Sequence, residues 1–379
     1  MDNLLEEYLN PLPYQLYTDV KEGTLGHVIQ PYIDEFPEWT SADIALIGVP
    51  EGRYANGNAK TSTAPDQVRK ELLRLSNHFS SLQLVDLGNI KMGEIPEVTQ
   101  GHLINVLVNL MQEDVIPVLI GGSIDLGYGM YKAHTLHNQN IEVSAVLPRV
   151  YLEEDEVIHR ICMDEPNHLF NLNLLGFQSH YADPEDVHVL EKMFFEPYRL
   201  GVLKSRMKDA EPILRNTDIL LFDIGAVKQA DAPGNFNNNP SGFSSEEACQ
   251  LAWFTGVGEK TAAMGLFEIN PEFDYRHTTS KLGAQIIWYF LDGVHSRTGD
   301  HPKLHKEFVK YRCTLNDRHP DIIFHKSKRT DRWWMEIPNI HNPANKQTLK
   351  IPCTYGDYQQ ATRGEMPDRF FKALQRMPK

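Results

Sequence analysis

Cysteine is scarce in this chain of 379 residues, and neither a long apolar run nor a basic amino-terminus is present. The four cysteines lie at least 40 positions apart, which excludes a CxxC redox pair, a zinc-knuckle spacing and a small disulfide-stapled scaffold. No run of about 18 apolar residues is available to cross a membrane, and acidic residues stand where a signal peptide carries basic ones. We therefore expect buried thiols in a reducing compartment, no membrane association and a cytoplasmic location.

Basic residues are outnumbered in the whole chain, 37 Lys and Arg against 51 Asp and Glu, but the imbalance is unevenly distributed. Residues 297–379 contain 17 basic and 9 acidic residues, a balance of +8, whereas residues 1–296 contain 20 and 42, a balance of −22. We interpret the basic segment as a part that docks on the acidic body. A partner-binding arm for nucleic acid or another polyanion is the alternative.

The nucleic-acid alternative depends on a Trp333–Trp334 pair that could stack on bases, beside four cations that could contact phosphates. The four cations are Lys326, Lys328, Arg329 and Arg332. Trp333, Met335 and Ile337 alternate along the sequence, however, which is typical of the packed face of a strand. We therefore expect a folded ribbon here and do not expect nucleic acid as the main partner.

Short apolar runs alternate with segments of helical periodicity over the first 296 residues. The runs are apolar on consecutive positions, as in strands buried on both faces of a parallel sheet covered by helices. Strands are predicted at residues 43–49, 82–88, 115–122, 141–148, 171–178, 199–203, 218–224 and 262–270. Helices are predicted at residues 64–75, 101–113, 244–254 and 278–294. The pattern indicates an α/β fold with a mainly parallel eight-stranded sheet, either open and doubly wound or closed into a barrel.

The pattern changes after residue 297. Four segments alternate with period two and no helix is predicted between them: residues 308–315, 322–325, 332–337 and 349–353. One amphipathic helix is predicted at residues 367–377. We expect a small antiparallel β-ribbon closed by that helix, and divide the chain into an N-terminal extension (1–40), an α/β domain (41–296) and a basic accessory segment (297–379).

Short motifs in a fixed order resemble the ureohydrolase superfamily of arginase, agmatinase and especially formimidoylglutamase. The first half contains IGVP at 47–50, APDQVR at 64–69, DLGNI at 86–90 and IPVLIGG at 116–122. The second half contains FDI at 222–224, DAPG at 231–234, SGFSSEE at 241–247 and EINP at 268–271. The resemblance covers about residues 40–295 and implies a three-layer arginase-like fold. It also implies hydrolysis of guanidino or formimino C–N bonds by water that two manganese ions activate.

The metal-ligand motifs of that family are mostly absent from this chain. The family's ligands come from GGDH, DAHxD and SxDxD motifs, and the matching segments begin at Gly121, Leu147 and Leu221. Five of the six ligand positions hold other residues: Ile124, Leu147, Arg149, Tyr151 and Gly225. Asp223 alone is retained, so no metal or other cofactor is expected.

The remaining polar residues define a candidate site. Glu268 matches the family glutamate that accepts the nitrogens of the substrate, so Asp223 and Glu268 are the candidate catalytic residues. The candidate ligand-binding residues are Glu268, Arg149, Asp125 and Ser123. We expect the Arg149 guanidinium to replace the metal as the partner of Asp223. Both candidate catalytic residues have a plainer structural alternative. Asp223 could cap a turn, and Glu268 could accept hydrogen bonds from loop amides.

The favoured hypothesis is a pseudoenzyme: a degenerate ureohydrolase-fold protein that binds a small amidine, an amino-acid-like ligand or a partner. The alternative is an active hydrolase of formimidoylglutamate or a guanidino compound, with manganese at a rearranged centre around Asp125, Asp223 and Glu268. The resemblance also implies a homo-oligomer, although a C-terminal segment of about 80 residues could block that interface.

Overall fold

The structure is a computed structural model, and it describes residues 4–55, 57–138, 140–237, 239–302, 306–315, 321–339 and 348–377. Its strands form two separate sheets. The strands of the larger sheet are β1 (Leu9–Asn10), β2 (Gln30–Pro31), β3 (Ile44–Val49), β4 (Leu84–Ile90), β5 (Ile116–Gly121), β6 (Ile141–Val146), β7 (Leu169–Phe177), β8 (Glu196–Arg199), β9 (Ile219–Asp223) and β10 (Ala263–Phe267). The smaller sheet contains β11 (Phe308–Cys313), β12 (Ile322–Ser327), β13 (Trp333–Ile337) and β14 (Leu349–Cys353).

The α-helices lie between these strands and after them. They are α1 (Leu25–Val28), α2 (Ala64–Leu72), α3 (Pro96–Gln112), α4 (Leu126–Thr135), α5 (Val157–Cys162), α6 (Pro184–Lys192), α7 (Leu200–Ser205), α8 (Glu211–Leu214), α9 (Ser245–Gly256), α10 (Thr278–His295), α11 (Tyr355–Thr362) and α12 (Asp368–Arg376). Among the described residues, no helix has the length and apolar character needed to cross a membrane.

The larger sheet is an open, mainly parallel sheet with the strand order β1-β4-β3-β5-β10-β9-β6-β7-β8, and β2 also pairs with β4. Strands β3 to β10 are eight parallel strands, so the predicted number of strands and their mainly parallel arrangement are confirmed, and the barrel alternative is wrong. The N-terminal segment adds the two short strands, and β1 is the antiparallel one.

Helices cover both faces of this sheet, which explains why the strands are apolar at consecutive positions. In β9, Leu220 and Phe222 pack into one buried cluster with residues of α2, α9 and α10. Ile219 and Leu221 point the other way, into a second cluster with residues of α3, α4 and α5. The result is the expected three-layer arrangement. The four cysteines are buried and free, as the sequence predicts.

One strand was predicted at the wrong place. The run at residues 199–203 is helix α7, and the strand is the preceding β8. Leu200 and Leu203 are buried at a spacing of three, which suits a helix. Strand β8 has the sequence EPYR, which is not an apolar run and so does not predict a buried strand. It lies at the edge of the sheet, where proline is tolerated.

The C-terminal residues form a separate unit with its own apolar core. Its sheet has the antiparallel order β11-β12-β13-β14, as predicted, and α12 matches the predicted helix. The core joins Phe324, Trp333 and Met335 of the sheet to Phe370 of α12. Helix α11 was not predicted, although Thr354 caps it in a reciprocal box with Asp357.

Arginine side chains join this C-terminal unit to the acidic body. From the body, Arg215 lies over the ring of Trp334, with 4.3 Å from its guanidinium carbon to the ring centroid. From the unit, Arg332 pairs with Glu211 at 3.3 Å. Arg376 pairs with Glu196 at 3.2 Å, and these two side chains are only 7% and 5% exposed. These contacts agree with docking of the basic segment on the acidic body.

Arg376→Met should destabilise the protein by about 3–5 kcal/mol, because it leaves the buried Glu196 carboxylate without its cation. Arg312→Met is the matched control: Arg312 lies in the same unit, is 71% exposed and pairs with Asp321 at the surface. The control should cost less than about 1 kcal/mol. Urea unfolding followed by tryptophan fluorescence measures both, and equal effects of the two substitutions would contradict the docking role of Arg376.

Candidate functional site

A cavity of about 580 Å³ opens at the carboxyl ends of the central strands. Strands β3, β5, β10, β9 and β6 are consecutive neighbours and parallel, so the loops that follow them meet at one edge of the sheet. The cavity is lined by Tyr54, Ala55, Asn58, Ser123, Ile124, Asp125, Arg149, Tyr151, Glu153, Glu154, Asp155, Glu156, Phe236, Asn237 and Glu268. The predicted ligand-binding residues therefore lie together.

Glu268 follows β10 and is held from two sides. Its Oε1 accepts a hydrogen bond from the amide of Ile124 at 2.8 Å, and its Oε2 accepts from Asn58 Nδ2 at 2.7 Å. Its backbone φ is +66°, in the left-handed region that side chains rarely adopt. Burial raises the pKa of the Glu268 carboxyl to about 8, and the negative charge of Asp223 adds to this rise. Glu268 is thus mostly protonated at neutral pH.

Asp223 ends β9 and is fully buried. Its Oδ2 accepts from the hydroxyl of Tyr151 at 2.7 Å, and its Oδ1 accepts from the amide of Gly225 at 2.7 Å. Burial raises the pKa of Asp223 to about 6, while the hydrogen bond from Tyr151 opposes the rise. Each carboxylate oxygen thus has a neutral donor, and the Gly225 contact is the turn cap that the plainer interpretation of Asp223 requires.

The predicted pairing of Arg149 with Asp223 is wrong. Arg149 Nη2 lies 2.5 Å from Glu156 Oε1, and its guanidinium carbon lies 3.9 Å from the centroid of the Tyr151 ring. Tyr151 has a φ of +54°, and the Tyr151 side chain reaches Asp223. A neutral hydroxyl is cheaper to bury than a guanidinium, which stays partly exposed beside Glu156. Arg149 acts on Asp223 only at longer range, where its charge lowers the pKa of Asp223.

Ser123 and Asp125 form the wall that follows β5. The Ser123 hydroxyl donates to Asp125 Oδ2, and burial raises the pKa of Asp125. Gly122, just before them, is required by close packing, because a Cβ there would lie 1.9 Å from the carbonyl oxygen of Glu51. The Ser123 hydroxyl therefore donates to a carboxylate. A serine nucleophile would instead be paired with a histidine base.

Three of the five positions that hold other residues than the family's ligands offer no side-chain donor atom for a metal. Ile124 and Leu147 are buried in the apolar cluster under α3, α4 and α5. Gly225 has no side chain, and a Cβ there would lie 2.9 Å from Asp223 Oδ1. Within the described residues, no group of three or more His, Cys, Asp and Glu side chains is arranged to hold a metal ion. The residues present therefore do not fit a dimanganese centre.

Asn58 is a site residue that the sequence did not reveal. Its amide donates to Glu268, and its Oδ1 accepts from Asn270 Nδ2 at 2.6 Å. It is buried in the glycine-containing loop after β3, 210 positions from Glu268. Tyr54 and Phe236, which also line the cavity, were missed as well. In the sequence, the only indication of these residues was the position of their loops, each between two of the family's motifs.

The cavity favours a cationic ligand. Its lining contains six carboxyl groups, of which Glu153 to Glu156 form the rim, against the single cation of Arg149. A planar amidinium or guanidinium group carries N–H donors that match a carboxylate such as Glu268. The geometry can therefore accommodate such a group, whereas the described residues supply no ligand set for metal-activated water.

The family model that matches this chain is the one described as Arginase family, over residues 42–145 and 163–292. Formimidoylglutamase of Bacillus subtilis (strain 168) is 23% identical over 300 residues, which cover 69% of this chain and 91% of the relative. Formimidoylglutamase of Staphylococcus haemolyticus is 22% identical over 306 residues, with 76% and 96% covered.

Solved structures show the same fold. The structure of Trypanosoma cruzi formiminoglutamase (oxidized) with Mn²⁺ aligns with a TM-score of 0.64 at 20% identity, covering 69% of this chain and 96% of that chain. The formimidoylglutamase of Bacillus subtilis aligns with a TM-score of 0.60 at 19% identity, with 68% and 90% covered. Together with the order of motifs and the open parallel sheet, these matches show that the chain belongs to the arginase family and is similar to formimidoylglutamases.

Proposed function

We propose that this chain is a formimidoylglutamase-like protein that has lost the dimanganese centre and binds a small amidine or amino-acid-like ligand without hydrolysing it. The observation that carries the proposal is the hydrogen bond from the Tyr151 hydroxyl to Asp223. In the family pattern, Tyr151 stands at a carboxylate ligand position and Asp223 is the one retained ligand. A neutral side chain thus occupies the carboxylate that a metal would need.

The ligand requirements of a dinuclear metal centre also support the proposal. Two divalent cations need several hard anionic ligands to lower the pKa of a bridging water. Asp223 is one carboxylate, both of its oxygens already accept hydrogen bonds, and the fixed positive charge of Arg149 lies nearby. A manganese ion would have to displace the Tyr151 hydroxyl and would gain no histidine ligand.

What remains is suited to holding a ligand. Glu268 lines a cavity of about 580 Å³, a volume that suits a small molecule. Its two oxygens accept one protein hydrogen bond each, and a carboxylate has about four acceptor sites. Two sites are therefore left for the N–H groups of an amidinium, while the acidic rim raises the local concentration of cations.

An active C–N hydrolase built on Asp125, Asp223 and Glu268 is the second candidate. The observation in its favour is that the pKa values of all three carboxyls are raised, to about 6 for Asp223 and about 8 for Glu268. Raised carboxyl pKa values are also found in general acids and bases. Manganese-dependent release of formamide, ammonia or urea that Asp223→Ala abolishes would establish this candidate and contradict the first.

Purified wild-type protein dialysed against manganese should retain far less than one manganese ion per chain, because one carboxylate does not hold a dinuclear centre. The matched variant restores the family ligands at all five positions: I124H, L147D, R149H, Y151D and G225D. Its manganese content should rise above that of the wild type. Elemental analysis measures both, and two manganese ions per wild-type chain would contradict the proposal whatever the variant does.

The affinity for a cationic amidine should increase as the pH rises from 6 to 9. Glu268 is mostly protonated below its pKa of about 8, and a bound cation favours the ionised form, so binding releases a proton. The expected increase is up to about tenfold per pH unit below that pKa. Calorimetric titration with agmatine at each pH measures it.

Glu268→Gln should remove the pH dependence above pH 7 and weaken binding by about tenfold, since a neutral amide replaces the carboxylate. Glu154→Gln is the control, because Glu154 is an exposed residue of the same rim. It should change the affinity by less than about threefold. A pH dependence that survives in Glu268→Gln would show that another group receives the cation.

A further inference from the structure

A second cavity, of about 520 Å³, lies on the seam between the body and the C-terminal unit. Its body wall includes Glu196 of β8, and its opposite wall includes Arg369 and Lys372 of α12. Glu196 is the first residue of β8, whereas Asp223 is the last residue of β9. Strands β6, β7, β8 and β9 are parallel, so the seam cavity lies at the amino ends of the strands and the cavity at Glu268 lies at their carboxyl ends.

Arg369 is the unusual side chain of this seam cavity. It is only 16% exposed, yet within the described ranges its guanidinium makes one ion pair and no hydrogen bond. In that ion pair Nε lies 3.7 Å from Asp357 Oδ2, an oxygen that already accepts from the amide and the hydroxyl of Thr354. The Nε atom of Arg369 is buried without a hydrogen-bond partner, and such a donor is costly, so it indicates a missing acceptor.

Arg376 of the same helix is better supplied with acceptors than Arg369, although the Nε atoms of both are buried without a hydrogen-bond partner. It follows Arg369 by seven residues and therefore lies on the same face of α12. Its guanidinium donates to Asn171 and to Glu196, both in the body. The body therefore supplies acceptors for Arg376. Arg369, on the same face of the helix, lines the cavity instead.

The acidic residues of the seam cavity are mostly matched by other donors. Glu196 accepts from Arg376 and from the hydroxyl of Tyr198. Asp209 pairs with Arg206 at 3.4 Å. Lys372 also lines the cavity, and it has no ion pair among the residues that the structure describes. The spare donors are therefore a guanidinium and an ammonium group on adjacent turns of α12.

We propose that the seam cavity binds a small carboxylate-bearing molecule, which Arg369 holds through two parallel hydrogen bonds and Lys372 through a third contact. The planar guanidinium fork matches a carboxylate in this way. A singly charged carboxylate suits the site better than a phosphate dianion because four acidic residues, Glu196, Asp209, Asp357 and Asp368, also line the cavity. The ligand would contact both the body and the C-terminal unit.

Calorimetric titration of the full chain with acetate, succinate and L-glutamate, at constant ionic strength in chloride, tests the proposal. We expect saturable binding of at least one of them. Arg369→Lys should weaken it on the order of tenfold, because lysine keeps the charge but not the fork. Lys372→Gln should weaken it about threefold. Arg312→Lys, an exposed arginine of the same unit, is the control and should have no effect.

Circular dichroism verifies the fold of each variant, and Lys372→Gln carries the test if Arg369→Lys does not fold. Failure of all three carboxylates to bind overturns the proposal, as does binding that both α12 variants leave unchanged. Binding that Glu268→Gln abolishes would place the carboxylate in the other cavity and overturn it too. Tighter binding of inorganic phosphate than of any carboxylate would overturn the assignment of the ligand class.

Discussion

A carboxylate that ends a buried central strand needs hydrogen-bond donors, and Asp223 is such a group. In a metal hydrolase of this family the cations would meet that need. Here the need is met by a tyrosine hydroxyl and a backbone amide. The other changes are consistent with this exchange: Ile124 and Leu147 extend the apolar core, and Arg149 turns to Glu156 at the rim. The arginase-family scaffold is retained, and the contacts of Asp223 are those of an ordinary buried carboxylate.

The charge imbalance along the sequence has a structural counterpart at the opposite edge of the sheet. There the basic C-terminal unit docks on the acidic body through Arg332 and Arg376, and Arg215 of the body stacks on Trp334. Arg376 and Glu196 are both buried, so each is stable there only with the other present. The unit therefore behaves as part of the folded protein, and nothing in its packed tryptophans requires a nucleic acid.

Much of the fold follows from the sequence because strands that are buried on both faces are apolar at consecutive positions. The order of motifs also places Ser123, Asp125 and Glu268 at the carboxyl ends of the strands. The partner of Asp223 does not follow. Tyr151 reaches it with a φ of +54°, a backbone choice that residue types alone do not indicate. Asn58 is equally hidden, since its contact with Glu268 spans 210 positions. Strand β8 was misplaced because its buried glutamate depends on Arg376, which lies in another unit.

The central claim is that the carboxylate of Asp223 is occupied by Tyr151 and not by metal. Anomalous diffraction at the manganese absorption edge, from crystals grown in manganese chloride, tests it most directly. The account predicts no anomalous peak beside Asp223, with the Tyr151 hydroxyl still within hydrogen-bonding distance of Oδ2. Two peaks beside Asp223, with the Tyr151 side chain displaced, would contradict the account.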